Sequence, residues 1–360
     1  MKERILPTAL LAVLFCASAC DKPAGGGAVD STKAAAADSL STGLPGSLER
    51  TADTLRLSLL FKKGEAFGFS ITTRQDVKNS VDTMVEKSTQ STTVSYRFDV
   101  DEVLPDGSAR LRATCLRVVF SGNYTKEGVR RSMLYDSEEK NDPAKEKTFA
   151  QYNAPVNTPF EALISKDGRI SGVTKYDGVI KRLLGGDYGK VAKNARDRIG
   201  ESYAEEGLKN IIQMAFQKFE DRPVGIDSSW KHSWTGAVGF LKIRNDATYV
   251  LKGFKSSPEL DGRLAYIEGR LQSTYTGPKV LDTGEGNATI EKFNVRGVGL
   301  TVFSMKEGKP VSRTLRQARS TSFFVEPPAE LREQAPDRSL PGYRWAQEAT
   351  VENTVARIKL

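Results

Sequence analysis

The sequence predicts an α+β fold: a mainly antiparallel, curved, half-barrel-like β-sheet with a central helical segment packed on it. Three observations lead there. Apolar and polar residues alternate at period two over much of the chain after residue 53, the period lengthens to that of a helix between residues 177 and 222, and the alternation then returns. One change of period and back places a helical segment (177–222) between two β halves (53–176 and 223–360), all expected in a single β-rich domain over residues 53–360.

The chain begins with a targeting pattern. Lys2 and Arg4 give a basic start, residues 5–15 form an apolar run of secretory rather than membrane-spanning length, and Ala17-Ser18-Ala19-Cys20 is a small-residue processing site ending in cysteine. This reads as a bacterial lipoprotein signal, with a signal peptide over residues 1–19 and Cys20 as the acylated (palmitate-type) residue of the mature N-terminus. Ala17-Ser18-Ala19 also satisfies the ordinary rule for soluble secretion, and position 17 lacks the larger aliphatic residue usual in lipoprotein signals. The expected location is the cell envelope, periplasmic or surface, with the membrane as partner through the N-terminal lipid. Residues 20–52, rich in Ala, Gly, Ser and Thr, read as a flexible tether with a span of about 30 Å.

The first β half opens with segments 55–62 and 66–74. Val94, Tyr96, Phe98 and Val100 then alternate with Ser95, Arg97, Asp99 and Asp101, the pattern of a half-buried antiparallel strand, and Pro105-Asp106-Gly107 supplies the next turn. Ala109, Leu111, Ala113 and Cys115 form an apolar face that shifts phase to Leu116, Val118 and Phe120, which predicts a β-bulge beside Cys115 and a bent sheet. Residues 160–173 read as a hairpin around Lys166-Asp167-Gly168.

From Ile180 to Phe219 apolar residues recur at steps of three to five; Gly185-Gly186 breaks the helix, Gly207 bends it, and Pro223 ends it. Strands are expected again from residue 233, over 242–252, 263–275, 287–295, 297–305 and 311–325, with a loop at 327–343 and a closing strand over 349–360.

This ordering, with Phe61-Lys62-Lys63-Gly64-Glu65 near the start and Asp227-Ser228-Ser229-Trp230 opening the second half, resembles a family of uncharacterised bacterial lipoproteins known only as a domain of unknown function, over about residues 55–326. The resemblance implies architecture and location. It brings no activity, cofactor or site residue with it.

The chemical inventory points away from an enzyme. With one histidine, His232, no site built on two His ligands exists within one chain. Asp227, His232 and Ser233 lie near one another in sequence, but no Gly-x-Ser-x-Gly elbow accompanies them. Asp99-Val100-Asp101-Glu102 lacks the glycine of a calcium loop, where Leu104 stands, and Gly185-Gly186-Asp187-Tyr188-Gly189-Lys190 lacks the spacing and hydroxyl of a phosphate loop. Cys115 reads as a small buried hydrophobe. No catalytic residue, metal site or cofactor is therefore expected. The formal charge is +8, but the basic residues are dispersed among acids, which argues against nucleic acid and for a hydrophobic or anionic envelope ligand.

The expected role is non-enzymatic binding or carrying of a lipid-like ligand. The alternative is an interaction scaffold of the envelope, its protein partner unknown, and a hydrolase ranks third. For the carrier, Ile199, Tyr203, Ile211 and Phe219 of the helix and Tyr96 and Phe98 of the sheet are the residues expected around an apolar pocket.

Overall fold

The alternating segments pair into one antiparallel sheet. The structure, a computed structural model, describes residues 43–51, 54–82, 84–126, 129–238, 241–258, 262–282, 287–326 and 342–360. The expected signal peptide, Cys20, the first part of the tether and nearly all of the expected 327–343 loop lie outside the described residues.

The first half contributes β1 (Ala66–Val81), β2 (Met84–Val103), β3 (Ala109–Lys126), β4 (Val129–Asp136), β5 (Phe160–Ile164) and β6 (Ile170–Thr174), with short helices α1 (Pro143–Thr148) and α2 (Ala150–Asn153) before β5. Helices α3 (Asp177–Leu184), α4 (Lys193–Ser202) and α5 (Lys209–Ala215) follow. The second half contributes β7 (Ser229–Val238), β8 (Leu241–Ser257), β9 (Gly262–Tyr275), β10 (Val280–Asp282), β11 (Asn287–Ser304), β12 (Lys309–Glu326) and β13 (Tyr343–Ile358).

The strand order is β6-β5-β3-β2-β1-β13-β12-β11-β9-β8-β7, with β4 on β3 and β10 on β11. The ends of this path do not pair, so the sheet is open. The last strand joins the halves: Val351 of β13 faces Gln75 of β1 on one side and Gln317 of β12 on the other. The longest strand has 20 residues, which at about 3.3 Å per residue is roughly 65 Å.

The predicted bulge is present. Ser95 pairs with Arg117 and Tyr96 with Cys115, so Leu116 is the extra residue, and both phases of β3 keep their apolar side chains on one inner face. Further register shifts fall between Leu251 and Gly253 in β8 and between Ile290 and Lys292 in β11.

Several expectations need correction. Residues 55–62 form no strand: Leu57 and Leu59 are buried, but Leu55 bridges Val224, Leu59 N–H donates to Lys166 O and Leu60 N–H to Gly308 O, so each backbone group meets a different loop and no ladder forms. Segments 287–295 and 297–305 are one strand, β11, and β4, β10, α1 and α2 lie where no element was expected. The helical segment is shorter and more broken than its periodicity suggests. Leu184 ends α3 before Gly185, as expected, and Gly207 sits in a π-helical turn, Tyr203–Leu208. The segment stops at Ala215, because Phe216 is already extended (φ −117°, ψ 126°), well before Pro223. The end of the expected tether is docked on β8: Glu49 exchanges backbone hydrogen bonds with Phe254 at 2.7 and 3.0 Å.

The helices cover the inner face of the first half. Phe67, Phe69, Tyr96, Phe98 and Phe160 from the sheet meet Phe216, Leu208 and Ile212 in a close-packed core. Phe98 stacks on Phe67 at 5.5 Å, and Phe216 meets Phe98 edge to face at 5.6 Å. Lys309 at the start of β12 is buried beside these rings, its Nζ donating to both carboxylate oxygens of Glu65 at 2.8 and 2.9 Å.

Candidate functional site

Beyond the helices, the inner face belongs to the second β half and changes character. Period two brings Ile243, Asn245, Ala247 and Tyr249 of β8 to that face, joined by Leu271 and Ser273 of β9 and by Leu315, Gln317 and Arg319 of β12. The register aligns them in rows. One runs Trp234, Asn245, Ser273, Val295, Arg319; another runs Tyr249, Gly269, Gly299, Leu315, Asn353. The two glycines lower the floor. A Cβ at Gly269 would stand 3.2 Å from the ring of Tyr249, which lies across it, and one at Gly299 would stand 2.6 Å from Thr314 O.

A roof spans this floor. After α5 the chain leaves the helix at Phe216, whose backbone is extended, and crosses the sheet through residues 217–219. Gln213 Nε2 donates to Gly168 O at 2.9 Å, Thr301 Oγ1 donates to Gln217 Oε1 at 3.0 Å, and Phe219 N–H donates to Asp167 O at 2.8 Å. Arg313 Nη1 donates to Met214 O at 3.1 Å, neutralising carbonyls at the C-terminal end of α5. Between roof and floor lies a cavity of about 90 Å³, partly open to solvent. Its lining mixes apolar surface from Phe216, Trp234, Ile243, Leu271 and Val295 with a few polar groups, the usual composition of a small-molecule site.

Edge strand β7 forms one wall. Trp230, His232 and Trp234 pair with Tyr249, Ala247 and Asn245 and so share the inner face. His232 stacks on Trp234 at 5.3 Å, Lys218 Nζ donates to His232 Nε2 at 2.6 Å, and the same ammonium lies 5.9 Å from the Trp234 ring centroid. Trp230 Nε1 donates to Lys218 O at 3.3 Å, which fixes the backbone of the roof to this wall. Asn245 is 2% exposed; its Oδ1 accepts from Ser273 Oγ at 2.6 Å, while its Nδ2 and the Nε1 of Trp234 have no hydrogen-bond partner among the described residues.

The residues singled out from sequence are placed elsewhere. None of Tyr96, Phe98, Ile199, Tyr203, Ile211 and Phe219 lines this cavity. Tyr96 and Phe98 are fully buried in the core, Ile199 is exposed, Tyr203 is half-buried with its hydroxyl donating to Gln151 O at 2.7 Å, Ile211 is half-buried against the core, and Phe219 packs on Phe303 at 4.8 Å. Tyr96 carries a buried hydroxyl without a partner, and burial raises its pKa well above the usual phenol value. Burial likewise pushes the Cys115 thiol up to about 12.

Asp227, His232 and Ser233 are not brought together. Asp227 pairs with Arg50 and Lys252, His232 turns to Lys218, and Ser233 donates to Asp246 at 2.5 Å. Among the described residues, no helix is long and apolar enough to cross a membrane. Sequence reasoning passed over the cavity residues because Asn245, Ser273 and Gln317 interrupt the apolar period of their strands. That mixture on an inward face was the available signal.

Residues 118–262 match the model of a family of unknown function, DUF6263. No curated protein matches the chain. Among solved structures, a lipovitellin structure concerned with lipid–protein interactions is 11% identical with a TM-score of 0.44, covering 83% of this chain and 25% of that one. Pseudomonas aeruginosa OpdL is 9% identical with a TM-score of 0.20 over 82% of this chain and 99% of that one, and OccK5 (OpdH) is 8% identical with a TM-score of 0.19 over the same shares. The chain thus spans about a quarter of the length of the lipovitellin chain.

Proposed function

We propose that this protein binds a lipid-like or hydrophobic small molecule in the cavity between residues 213–218 and the second β half, without catalysing a reaction. The observation that carries the reading is the cavity itself, since a close-packed protein leaves few voids larger than a water molecule. Burying an acyl chain on its apolar floor contributes about 0.8 kcal/mol per methylene. The place differs from that expected from sequence: the core beneath α5 is solid, and the space lies beyond the end of that helix.

Titration of the protein with a fluorescent fatty acid tests this, with Leu271→Trp as the filled variant. Saturable, oleate-displaceable binding to the wild type that is lost in the variant supports the reading. No binding to either, with the variant destabilised by the 1 to 3 kcal/mol (about) of an overpacked core, would contradict it.

The anchoring belongs to the same proposal. A basic start, an apolar run and a small-residue box support acylation of Cys20 and an envelope location with the domain outside the cytoplasm. Labelling with a fatty-acid analogue should tag the wild type and not Cys20→Ala; equal labelling of both would reject it. The second reading, an envelope scaffold, is favoured by the solid helix-to-sheet packing around Phe98 and Phe216, and it would prevail if the cavity takes up no ligand.

A further inference from the structure

We infer that the corner of the cavity beside β7 is an anion site, and that the molecule held there is an anionic amphiphile, an acyl chain ending in a carboxylate or phosphate. This rests on the reading that the cavity binds a lipid-like ligand and names its headgroup.

The described lining carries basic side chains. Among the described residues, Lys218, Arg313 and Arg319 contribute to it, and no Asp or Glu does. Arg270 also borders the cavity, but Gly269 and Leu271 hold the inward positions of β9, so its side chain points outward, where it pairs with Glu268. Arg313 is committed to the carbonyls that end α5. The corner at Lys218 is different, because Trp234 and Asn245 line the cavity beside it. The ammonium is held against the aromatic wall by His232 and the face of Trp234, and the adjacent register pair Trp234 and Asn245 supplies the two donors that lack partners.

Ser273 explains why the amide of Asn245 is set as a donor there: its hydroxyl occupies Oδ1 and leaves Nδ2 for another acceptor. Buried donors without acceptors destabilise a protein unless something supplies oxygen atoms. An anion does so with charge-assisted bonds, roughly twice as strong as neutral ones, and beside apolar walls its attraction to Lys218 is weakly screened. The apolar floor of Ile243, Leu271 and Val295 begins next to these donors, so a headgroup at the corner leaves its chain on the floor.

Calorimetric titration of the mature protein with three ligands sharing one oleoyl chain tests the inference: oleate, 1-monooleoylglycerol, which is uncharged, and oleoyl lysophosphatidylglycerol. The wild type should bind the anionic ligands at least tenfold more tightly than the neutral one, and whichever anion is favoured identifies a carboxylate or a phosphate site. Lys218→Gln should erase that preference, whereas Lys218→Arg should retain it. Trp234→Phe, which removes one donor and keeps the ring, should lower anion affinity by a smaller factor. Equal wild-type affinity for oleate and 1-monooleoylglycerol, or Lys218→Gln binding all three as the wild type does, would overturn the anion site while the cavity reading stands. Absence of binding by all three would remove that reading and the anion site with it.

Discussion

Gly168, at the β5–β6 turn, lies directly beneath Gln217: its φ is +84°, and a Cβ built on it would overlap the carbonyl oxygen of Gln217. Both the conformation and the approach exclude other residues, so this turn sets the height at which the roof of the cavity crosses the sheet. Gly168→Ala should therefore act on the roof before the core. It is expected to cost about 1 to 3 kcal/mol, read from urea unfolding, and to raise hydrogen exchange at Phe219 N–H, which bonds to the neighbouring Asp167. A variant with unchanged stability and exchange would show that the roof is held by other contacts.

The buried hydroxyl of Tyr96 provides a second check, on the solid half. With no partner in a core of aromatic rings, it carries a desolvation cost, so Tyr96→Phe should stabilise the protein by about 1 kcal/mol. Tyr203→Phe should instead destabilise by about 1 kcal/mol, since that hydroxyl bonds to Gln151 O. Thermal unfolding of the two variants distinguishes them, and shifts of the same sign would contradict the packing described.

Cys115 should be chemically silent in the native state. Its side chain is fully buried, and its thiol, at about 12, holds little thiolate at neutral pH. Reaction with a thiol reagent at pH 8 should proceed at the rate of unfolding and become immediate in denaturant. Prompt native-state labelling would mean that the β3 bulge opens readily.

Stability should decline in acid. Arg117 holds Asp136 below the usual carboxylate range by a double hydrogen bond at 3.1 and 2.5 Å, and Lys175 does the same for Glu161. A carboxylate whose folded pKa is depressed contributes stability above its unfolded pKa, near 4, and loses it as pH falls through the folded value. Urea midpoints should thus be level from about pH 7 to 5 and fall below about pH 4, with a shallower fall in Asp136→Asn. A rise in stability toward pH 3 would reverse the sign of this account.

The sequence was most informative where chemistry is local. The phase slip at Leu116 exposed the bulge because a single extra residue moves every later side chain to the other face. Gly168 and Gly185 marked a turn and a helix end through their backbone freedom. Segment 55–62 alternates as a strand does, yet its partners are Val224, Lys166 and Gly308, contacts no local pattern encodes. The same holds for the cavity. Its position depends on β13 inserting between β1 and β12 and on Phe216 leaving the helix, so the helix covers one half of the sheet and a short roof the other. Apolar periodicity located the packed face, with Tyr96 and Phe98 at its centre, whereas the space lies where that periodicity is diluted by Asn245, Ser273 and Gln317.

Occupancy of the cavity by an amphiphile is read from native mass spectrometry of the protein purified from its native source. Occupancy gives a peak heavier than the protein alone by the mass of one anionic lipid-like molecule, released by gentle activation and absent in Leu271→Trp. Wild type and variant both appearing only at the bare mass of the protein would contradict occupancy.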